Sequence, residues 1–317
     1  MQKNSTIVWL LRGDPAIRWQ VLRYLLDADP VAVDTERNLV AQKGWGAKLL
    51  ALQETHGQWG GGIYSPKWTS TTYTMLLLRR MGLPSQHPQA QKACRLLLEK
   101  GYYHDGGINY SASIHHSETC ITGMILSILS YFRYPDDRVN QLVEHLLDQQ
   151  MKDGGWNCQS YKGATHSSFH TTISVLEGLQ KYEKFSNENT SEISEAQERG
   201  REFLLAHRLF RSHRTGEVVN PVLTRFSFPP RWHYDILRAL DYFQDVKAKR
   251  DPRLVDALSI VKKKRKRDGF WVLQNRHPGR THFELEKTGS PSRWNTLRAL
   301  RVLRWWEGFS GIESSVE

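Results

Sequence analysis

The stretch that decides the fold is residues 150–156, QMKDGGW, in which a helical segment ends in a turn of glycines and tryptophan. The same kind of turn recurs at residues 53–60 (QETHGQWG) and 266–271 (KRDGFW), and a weaker copy stands at residues 105–108 (DGGI). Repetition of one turn after one kind of helix is typical of an array of helix pairs that share a core with their neighbours. The repeat therefore predicts an all-α fold.

Two kinds of helical segment alternate between these turns. The first kind is apolar and recurs about every 50 residues, stretching to about 60 late in the chain; its copies are residues 18–26, 68–78, 118–129, 170–179, 232–242 and 293–306. The second kind is charged and amphipathic, at residues 35–52, 88–100, 136–150, 192–209 and 251–267. Apolar helices must be flanked on more sides, so we expect them to form an inner ring inside the amphipathic ones.

The first apolar segment resembles the last two, which suggests that the two ends of the array meet. We therefore predict an α/α toroid, an α6/α6 barrel of six helix-pair repeats, in a single domain over residues 1–317. Two segments read as surface insertions between repeats. Residues 184–194 are polar, whereas residues 211–230 contain Phe226 and Phe228 and are expected to be ordered over one mouth of the barrel.

The composition sets further bounds. The chain has 11 Trp, 12 Tyr and 11 Phe in 317 residues, more than packing requires, so we expect some of them to line a cavity. We see no secretory signal, and no apolar stretch approaches the roughly 20 residues that span a bilayer. Three cysteines at irregular spacing indicate a reducing compartment rather than a disulfide framework. These features predict a soluble, cytoplasmic protein.

The net charge of +11 predicts attraction to anionic partners. The excess is concentrated in the run KKKRKR, which begins at Lys262 and ends at Arg267. It falls on the last turns of an amphipathic segment, where cations suit the helix dipole and face solvent. The run is also a candidate for peripheral contact with an anionic membrane. Nucleic-acid binding is not expected, because no nucleic-acid-binding module accompanies the run.

Residues 46–53 (GAKLLALQ), followed by Gly57, Gln58 and Trp59, resemble the Gln-Trp (QW) repeat of squalene and other terpenoid cyclases. Residues 153–156 and 268–271 are similar to degenerate copies. The resemblance implies the α/α toroid that those cyclases share with protein prenyltransferase β subunits, and a central aromatic-lined cavity for a hydrophobic isoprenoid-type substrate. Because the Asp-x-Asp-Asp motif of class II cyclases is absent, ordinary cation-olefin cyclisation is disfavoured.

The resemblance to prenyltransferase β subunits implies a catalytic zinc site. In that family an Asp, a Cys and a His at the starts of two successive inner helices hold the ion, and Glu118, Cys120 and His170 fall on these positions, with Glu in place of Asp. Such a set would leave a fourth coordination place open for water or substrate. Simpler roles remain open for each: Glu118 as a helix cap, Cys120 as a small buried residue and His170 as a hydrogen-bonding group.

Further residues are candidates for substrate contact. The arginines and lysines that bind the prenyl diphosphate in the family are not reproduced, and the loop before Glu118 offers Tyr110, His115 and His116 instead. Aromatic residues at the starts of the inner segments, Trp68, Tyr73, Trp232 and Trp294, are predicted to face the cavity. His233 and Asp235 are predicted to form an acid/base pair.

Three functions remain open on the sequence. The first is an enzyme or binder, a transferase or a cyclase or lyase, acting on a prenyl or terpenoid substrate. The second is a carbohydrate-active toroid resembling a polysaccharide lyase, in which tryptophans stack against sugars. The third is a non-catalytic scaffold. We favour the first as the working hypothesis.

Overall fold

The structure is a computed structural model that describes residues 2–185 and 191–308. Within these residues it consists of α-helices, four short 3-10 helices and isolated β-bridges, with no extended strand. In chain order the helices are α1 (Gln2–Leu11), α2 (Pro15–Tyr24), α3 (Pro30–Asn38), α4 (Gly44–Ala51), α5 (Thr71–Met81), α6 (Pro88–Gly101), α7 (Thr119–Tyr131), α8 (Arg138–Asp148), α9 (Phe169–Phe185), α10 (Ser191–Ala206), α11 (Ile236–Asp245), α12 (Val255–Lys263) and α13 (Arg293–Glu307). The all-α prediction is confirmed.

The six helices α2, α5, α7, α9, α11 and α13 form a closed inner ring. Helix α7 packs on α5 and α9, α11 packs on α13, and α13 returns to pack on α2. Hydrogen bonds join the remaining neighbours: Trp19 Nε1 of α2 donates to the carbonyl of Met81 in α5 (2.8 Å), and Arg238 Nε of α11 donates to Glu177 of α9 (2.9 Å). The array of helix pairs therefore closes on itself.

Helices α7 and α9 approach each other most closely because glycines face each other across their contact. A Cβ atom on Gly123 would lie 2.8 Å from the Cα of Val175, and one on Gly178 would lie 2.6 Å from the carbonyl oxygen of Gly123. Real Cβ atoms do not tolerate such distances, so any larger residue here would push the two helices apart.

The outer ring closes where the chain begins. Helix α1 lies beside the last Gly-aromatic turn, where Trp9 packs against Phe270 with ring centroids 4.4 Å apart. Arg293, at the start of α13, donates from Nε to the carbonyl of Trp9 (3.3 Å) and places its guanidinium 4.3 Å from the centroid of the same ring. The first and last repeats therefore meet in the outer layer as well.

The repeated turn has the same structure in its three strong copies. Each tryptophan indole donates to a carbonyl ten residues earlier in the outer helix: Trp59 to Leu49 (2.7 Å), Trp156 to Leu146 (2.7 Å) and Trp271 to Val261 (2.8 Å). Each tryptophan backbone N–H also donates to a threonine hydroxyl in the first turn of the next inner helix, at 3.0–3.1 Å. The turn thus ties each outer helix to the inner helix that follows.

The weak copy at residues 105–108 follows part of this pattern, since the N–H of Ile108 donates to the Thr122 hydroxyl (2.9 Å). In all four copies a glycine has positive φ, namely Gly57 (94°), Gly106 (85°), Gly154 (91°) and Gly269 (85°). Glycine populates this conformation without steric cost, which explains why each copy of the turn contains a glycine at this position.

The observed helix bounds differ from the predicted segments most clearly in four places. The outer segment 251–267 is shorter than predicted, because α12 ends at Lys263, so residues 264–267 of the basic run follow the helix instead of forming its last turns. The outer segment 35–52 is broken between α3 and α4, where the Asp14 carboxylate, which caps α2, also accepts the backbone N–H of Trp45 (2.7 Å). Helices α5 and α11 begin after Trp68 and Trp232, because these tryptophans belong to the preceding turns. The predicted insertion 184–194 falls partly on α9 and α10, and residues 186–190 lie outside the described residues.

The predicted insertion 211–230 is ordered and contains a short 3-10 helix, Pro221–Thr224. None of the described helices is long and apolar enough to cross a membrane.

Candidate functional site

A central cavity of about 330 Å³ opens at the end of the inner ring where the helices finish. Ten arginine and lysine side chains among the described residues line it, against three carboxylates, Glu177, Asp241 and Asp245. Cations are favoured near helix C-termini, and Arg79 and Arg80 stand in the last turn of α5 for this reason. The lining nevertheless carries far more positive charge than its own carboxylates neutralise.

Glu177 of α9 is the centre of the largest charge cluster in the cavity. Its carboxylate accepts hydrogen bonds from Arg79 Nη2 (3.0 Å), Arg80 Nη2 (2.9 Å) and Arg238 Nε (2.9 Å). Its side chain is 12% exposed. Burial acts to raise the pKa of Glu177, but the three guanidinium groups outweigh it and hold this pKa well below its usual range. One largely buried carboxylate therefore forms ion pairs with three arginines.

The other two carboxylates hold the arginines of α13. Asp241 lies 3.5 Å from Arg298 Nε and 3.4 Å from Arg301 Nη1. Asp245 accepts from Lys181 Nζ at 2.8 Å and lies 3.6 Å from Arg301 Nη2. These contacts fix the guanidinium groups of α13 in the cavity wall without saturating them.

Several buried donors in the wall have no hydrogen-bond partner among the described residues. They are Nε of Arg79, Nε and Nη2 of Arg298, Nε of Arg301 and the indole Nε1 of Trp294. The arginine side chains involved are only 4–8% exposed. Buried donors nearly always have an acceptor, because each one left without a partner costs the free energy of its desolvation. The wall of the cavity thus holds several buried guanidinium donors without an acceptor among the described residues, together with one buried acceptor oxygen without a donor, Asp241 Oδ1.

Burial together with the neighbouring Arg80 lowers the pKa of Arg79 to about 10. Burial also lowers the pKa of Arg298, although the facing carboxylates oppose this. A pKa of about 10 leaves Arg79 protonated at neutral pH, so its unpartnered nitrogen is a charged donor.

Aromatic rings form the rest of the wall, among them Trp19 and Tyr24 of α2, Tyr131 of α7, Tyr242 of α11 and Trp294 of α13. Phe228, from the predicted insertion 211–230, also reaches the cavity and stacks on Trp294 with ring centroids 4.1 Å apart. The cavity thus combines a cationic surface with apolar ring faces.

The residues predicted from the sequence lie mainly at the other end of the ring, where the inner helices begin. Loops cover that end: Trp68 Nε1 donates to the carbonyl of Pro278 (2.9 Å), and His277 stacks on His233 with ring centroids 3.7 Å apart. Tyr73 is buried against the edge of Trp68 (4.7 Å), and Trp232 stacks on His233 (3.7 Å). Of the predicted contact residues, Trp294 lines the central cavity.

His233 and Asp235 do not form the predicted acid/base pair. The Asp235 carboxylate caps α11, accepting the N–H of Arg238 (2.9 Å) and the hydroxyl and N–H of Ser227 (2.6 and 3.1 Å). The His233 ring lies between Trp232 and His277 instead. Burial, followed by the charge of neighbouring groups, lowers the pKa of His233 to about 3. The hydrogen-bonding demand of the helix N-terminus explains why Asp235 faces away from the imidazole.

The three predicted zinc ligands stand in different surroundings. Glu118 occupies the N-terminal cap position of α7, although its side chain makes no cap hydrogen bond. Interaction with the Cys158 thiol, together with burial, raises the pKa of Cys120, and His170 Nδ1 accepts the backbone N–H of Tyr234 (2.8 Å). Nowhere in the described residues do three or more His, Cys, Asp or Glu side chains group as metal ligands would. The three residues are therefore not grouped as metal ligands in the described part of the chain, and zinc remains a prediction from the resemblance alone.

The loop residues predicted to contact substrate also lie away from the central cavity. The Tyr110 hydroxyl donates to the carbonyl of Leu97 (2.8 Å), and His116 meets the edge of Tyr161 with ring centroids 3.5 Å apart. His115 is exposed.

No protein-family model matches the sequence, and no curated protein matches it. Similar solved structures include a protein from Actinoplanes, which is 14% identical, with 96% of this chain and 98% of that chain covered and a TM-score of 0.49. They also include two structures of the type II terpene cyclase MstE from Scytonema. The complex with geranylgeranyl dihydroxybenzoate is 15% identical, with 96% and 95% of the two chains covered and a TM-score of 0.46. The complex with merosterolic acid A is 13% identical, with 86% and 96% covered and a TM-score of 0.35.

Type II terpene cyclases are thus among the structural neighbours of this chain, at low identity.

Sequence reasoning missed the arginine cluster, although the sequence carries a signal for it. Arg79 and Arg80 follow the apolar run of residues 75–78, and Glu177 interrupts the apolar segment 170–179. Arg238 and Arg298 stand before Ala-Leu at matched positions of the last two inner segments. Charged residues within segments assigned to an inner ring must point into the ring or be paired, and they could have marked the cavity.

Proposed function

We propose that the protein binds a small organic anion in the central cavity, and that this ligand has an apolar, isoprenoid-type body. The observation that carries the proposal is the set of buried, unpartnered guanidinium nitrogens on Arg79, Arg298 and Arg301. Phosphate and carboxylate oxygens are the acceptors that arginine matches best, because its planar fork meets two oxygens at once.

The apolar part of the ligand is supported by the aromatic faces of the same cavity and by the resemblance of the repeats to terpenoid cyclases. A volume of about 330 Å³ is near the lower end of the usual range of small-molecule pockets, roughly 300–1,000 Å³. The cavity therefore suits a short isoprenoid that carries one acidic group.

Each charged group has a distinct role in this proposal. Arg298 and Arg301 donate to the ligand from α13, and Arg79 donates from α5, on the other side of α2. Glu177 and Asp241 orient these arginines and offset part of their positive charge.

The proposal is tested by titrating the protein with geranyl phosphate while tryptophan fluorescence is recorded, since Trp19 and Trp294 line the cavity. Geraniol and inorganic phosphate are titrated separately, as the two halves of the ligand. We expect geranyl phosphate to bind more tightly than either half. Hydrogen bonds to charged groups contribute about 1.5–3 kcal/mol, so Arg298→Gln should weaken binding by roughly 10- to 150-fold.

The matched control is Arg95→Gln, because Arg95 is 60% exposed on α6 and forms only a surface pair with Glu99. The control should leave the affinity unchanged. Equal binding of geraniol and geranyl phosphate, or equal affinity in Arg298→Gln and the wild type, would overturn the proposal.

A further inference from the structure

A second feature, separate from the cavity, lies on the outside of the ring. Residues 211–224 run along α12 and are fastened to it at both ends. Near the start of α12, Arg211 Nε donates to Asp256 Oδ2 (3.0 Å). Just past its end, Lys264 Nζ donates to the carbonyl of Thr224 (2.6 Å). We call the outer face formed by residues 211–225 and 255–267 the α12 surface.

The α12 surface exposes aliphatic side chains next to each other. Val218 is 39% exposed, Val219 53%, Val222 46% and Val255 47%. They are four of the nine large hydrophobic side chains that are exposed among the described residues, and three of the four lie within five residues. Leu223, between Val222 and Thr224, is buried and anchors the segment beneath them. The valines are therefore held outward on an ordered segment.

The same surface carries exposed cations without acidic partners. Within the part of the chain that the structure describes, no salt bridge involves Arg214, Arg225, Lys263, Arg265, Lys266 or Arg267, whereas the neighbouring Lys262 pairs with Glu307 (3.1 Å). Val255, Ser259 and Lys263 follow one another at intervals of four residues along α12, so the aliphatic and cationic parts share one side of the helix. The positive charge and the exposed valines are thus continuous.

We propose that the α12 surface docks on an anionic lipid membrane. Exposed aliphatic residues enter the boundary between lipid headgroups and acyl chains, and the surrounding lysines and arginines are attracted to anionic headgroups. A nucleic acid would use the cations but would gain nothing from four exposed valines, because its binding depends mainly on phosphate contacts. The pairing of the two kinds of residue favours the bilayer. It also refines the membrane contact that the sequence suggested for residues 262–267 alone.

The test is co-sedimentation of the full-length protein with phosphatidylcholine vesicles, with and without phosphatidylserine. Two triple variants are compared with the wild type: Val218→Ser with Val219→Ser and Val222→Ser, and Lys263→Gln with Arg265→Gln and Lys266→Gln. We expect the wild type to bind only vesicles that contain phosphatidylserine. Each cation near the surface contributes about fivefold in affinity, so the charge variant should lose at least tenfold.

The valine variant should lose at least threefold, and this loss should persist at low ionic strength, where electrostatic attraction is strongest. Val31→Ser is the matched control, because Val31 is 73% exposed on α3, outside the α12 surface. Thermal melting of each variant checks that the fold is retained.

The proposal is overturned if the wild type does not bind phosphatidylserine vesicles, or binds pure phosphatidylcholine equally. It is also overturned if the valine variant binds as the wild type does, or if double-stranded DNA binds more tightly than vesicles with no effect of the valine changes. The last result would identify the surface as a nucleic-acid site.

Discussion

Replacing Glu177 with glutamine removes the one carboxylate shared by the buried Arg79 and Arg238 and the partly buried Arg80, and keeps the shape of the side chain. Arg79, Arg80 and Arg238 all donate to it at 2.9–3.0 Å. Removing one partner of a buried ion pair costs about 3–5 kcal/mol, because it leaves buried charge without compensation. With an unfolding entropy of about 2.1 cal/mol/K per residue over 317 residues, this cost lowers Tm by about 4–8 °C.

The effect depends on pH in a defined direction. The pKa of Glu177 is held below its ordinary value in the folded protein. Its contribution to stability is therefore fully present above the unfolded pKa, about 4.3, and is lost as the pH falls through the lower folded pKa. The difference between the wild type and Glu177→Gln should be constant from pH 6 to 8 and should shrink only in acid.

The assay is differential scanning calorimetry of both proteins, with and without inorganic diphosphate. The variant should also gain more Tm from diphosphate than the wild type, because the added anion can partly replace the missing carboxylate. Glu99→Gln is the matched control: Glu99 pairs with Arg95 on an exposed face, and such pairs contribute about 0.3–0.5 kcal/mol. Equal Tm values for Glu177→Gln and Glu99→Gln would refute the reasoning.

Two further predictions concern other parts of the ring. Gly154→Ala should destabilise the protein by about 2–4 kcal/mol, because alanine is strained at positive φ and its Cβ would displace backbone. That Cβ would lie 2.6 Å from the carbonyl oxygen of Arg199. Gly163 also has positive φ, but no atom lies within 4 Å of an added Cβ, so Gly163→Ala should cost only about 1–2 kcal/mol. Urea unfolding of the two variants measures the difference, and equal losses would contradict it. Cys158 should react with iodoacetamide at neutral pH well before the buried Cys94, because hydrogen bonds from Cys120 and Thr171 lower the pKa of the Cys158 thiol while burial raises that of Cys94. Mass spectrometry of the alkylated peptides measures the reaction rate at both cysteines. Thr171→Val should slow the reaction of Cys158. Equal rates at Cys94 and Cys158 would contradict the lowered pKa of Cys158.

The ring could be predicted because its signals are local. After three of the outer helices, α4, α8 and α12, a glycine with positive φ stands two residues before a buried tryptophan, and the Trp156 indole bond to Leu146 spans only ten residues. The likeness of the first and last apolar segments also predicted closure, which the contact of α13 with α2 shows.

The cavity could not be located in the same way, because the prediction assumed that the starts of the inner helices face an open axis. Residues 276–286 lie after the last repeated turn and reach back across the ring, where the N–H of Arg280 donates to the carbonyl of Lys67 (3.0 Å). That contact joins residues more than two hundred positions apart, and no local pattern predicts it. With this end covered, the cavity extends from the middle of the ring to its other end, and Arg79, Arg238 and Arg298 line it.

The pairing of charges was equally hidden. In sequence, Arg79, Glu177 and Arg238 look like isolated charges in apolar helices, and only the closure of the ring brings them together. Asp235 illustrates the opposite error: its proximity to His233 in sequence suggested a chemical pair, but the start of α11 uses the carboxylate as a cap.

The most direct test of the account is anomalous diffraction from crystals of the protein soaked in selenate, a tetrahedral dianion that is visible by its selenium signal. The account predicts a selenium peak inside the ring, within about 4 Å of the guanidinium nitrogens of Arg298 and Arg301, and loss of this peak in Arg298→Gln. Selenate bound only at outer lysines, with no peak between α5 and α13, would contradict it.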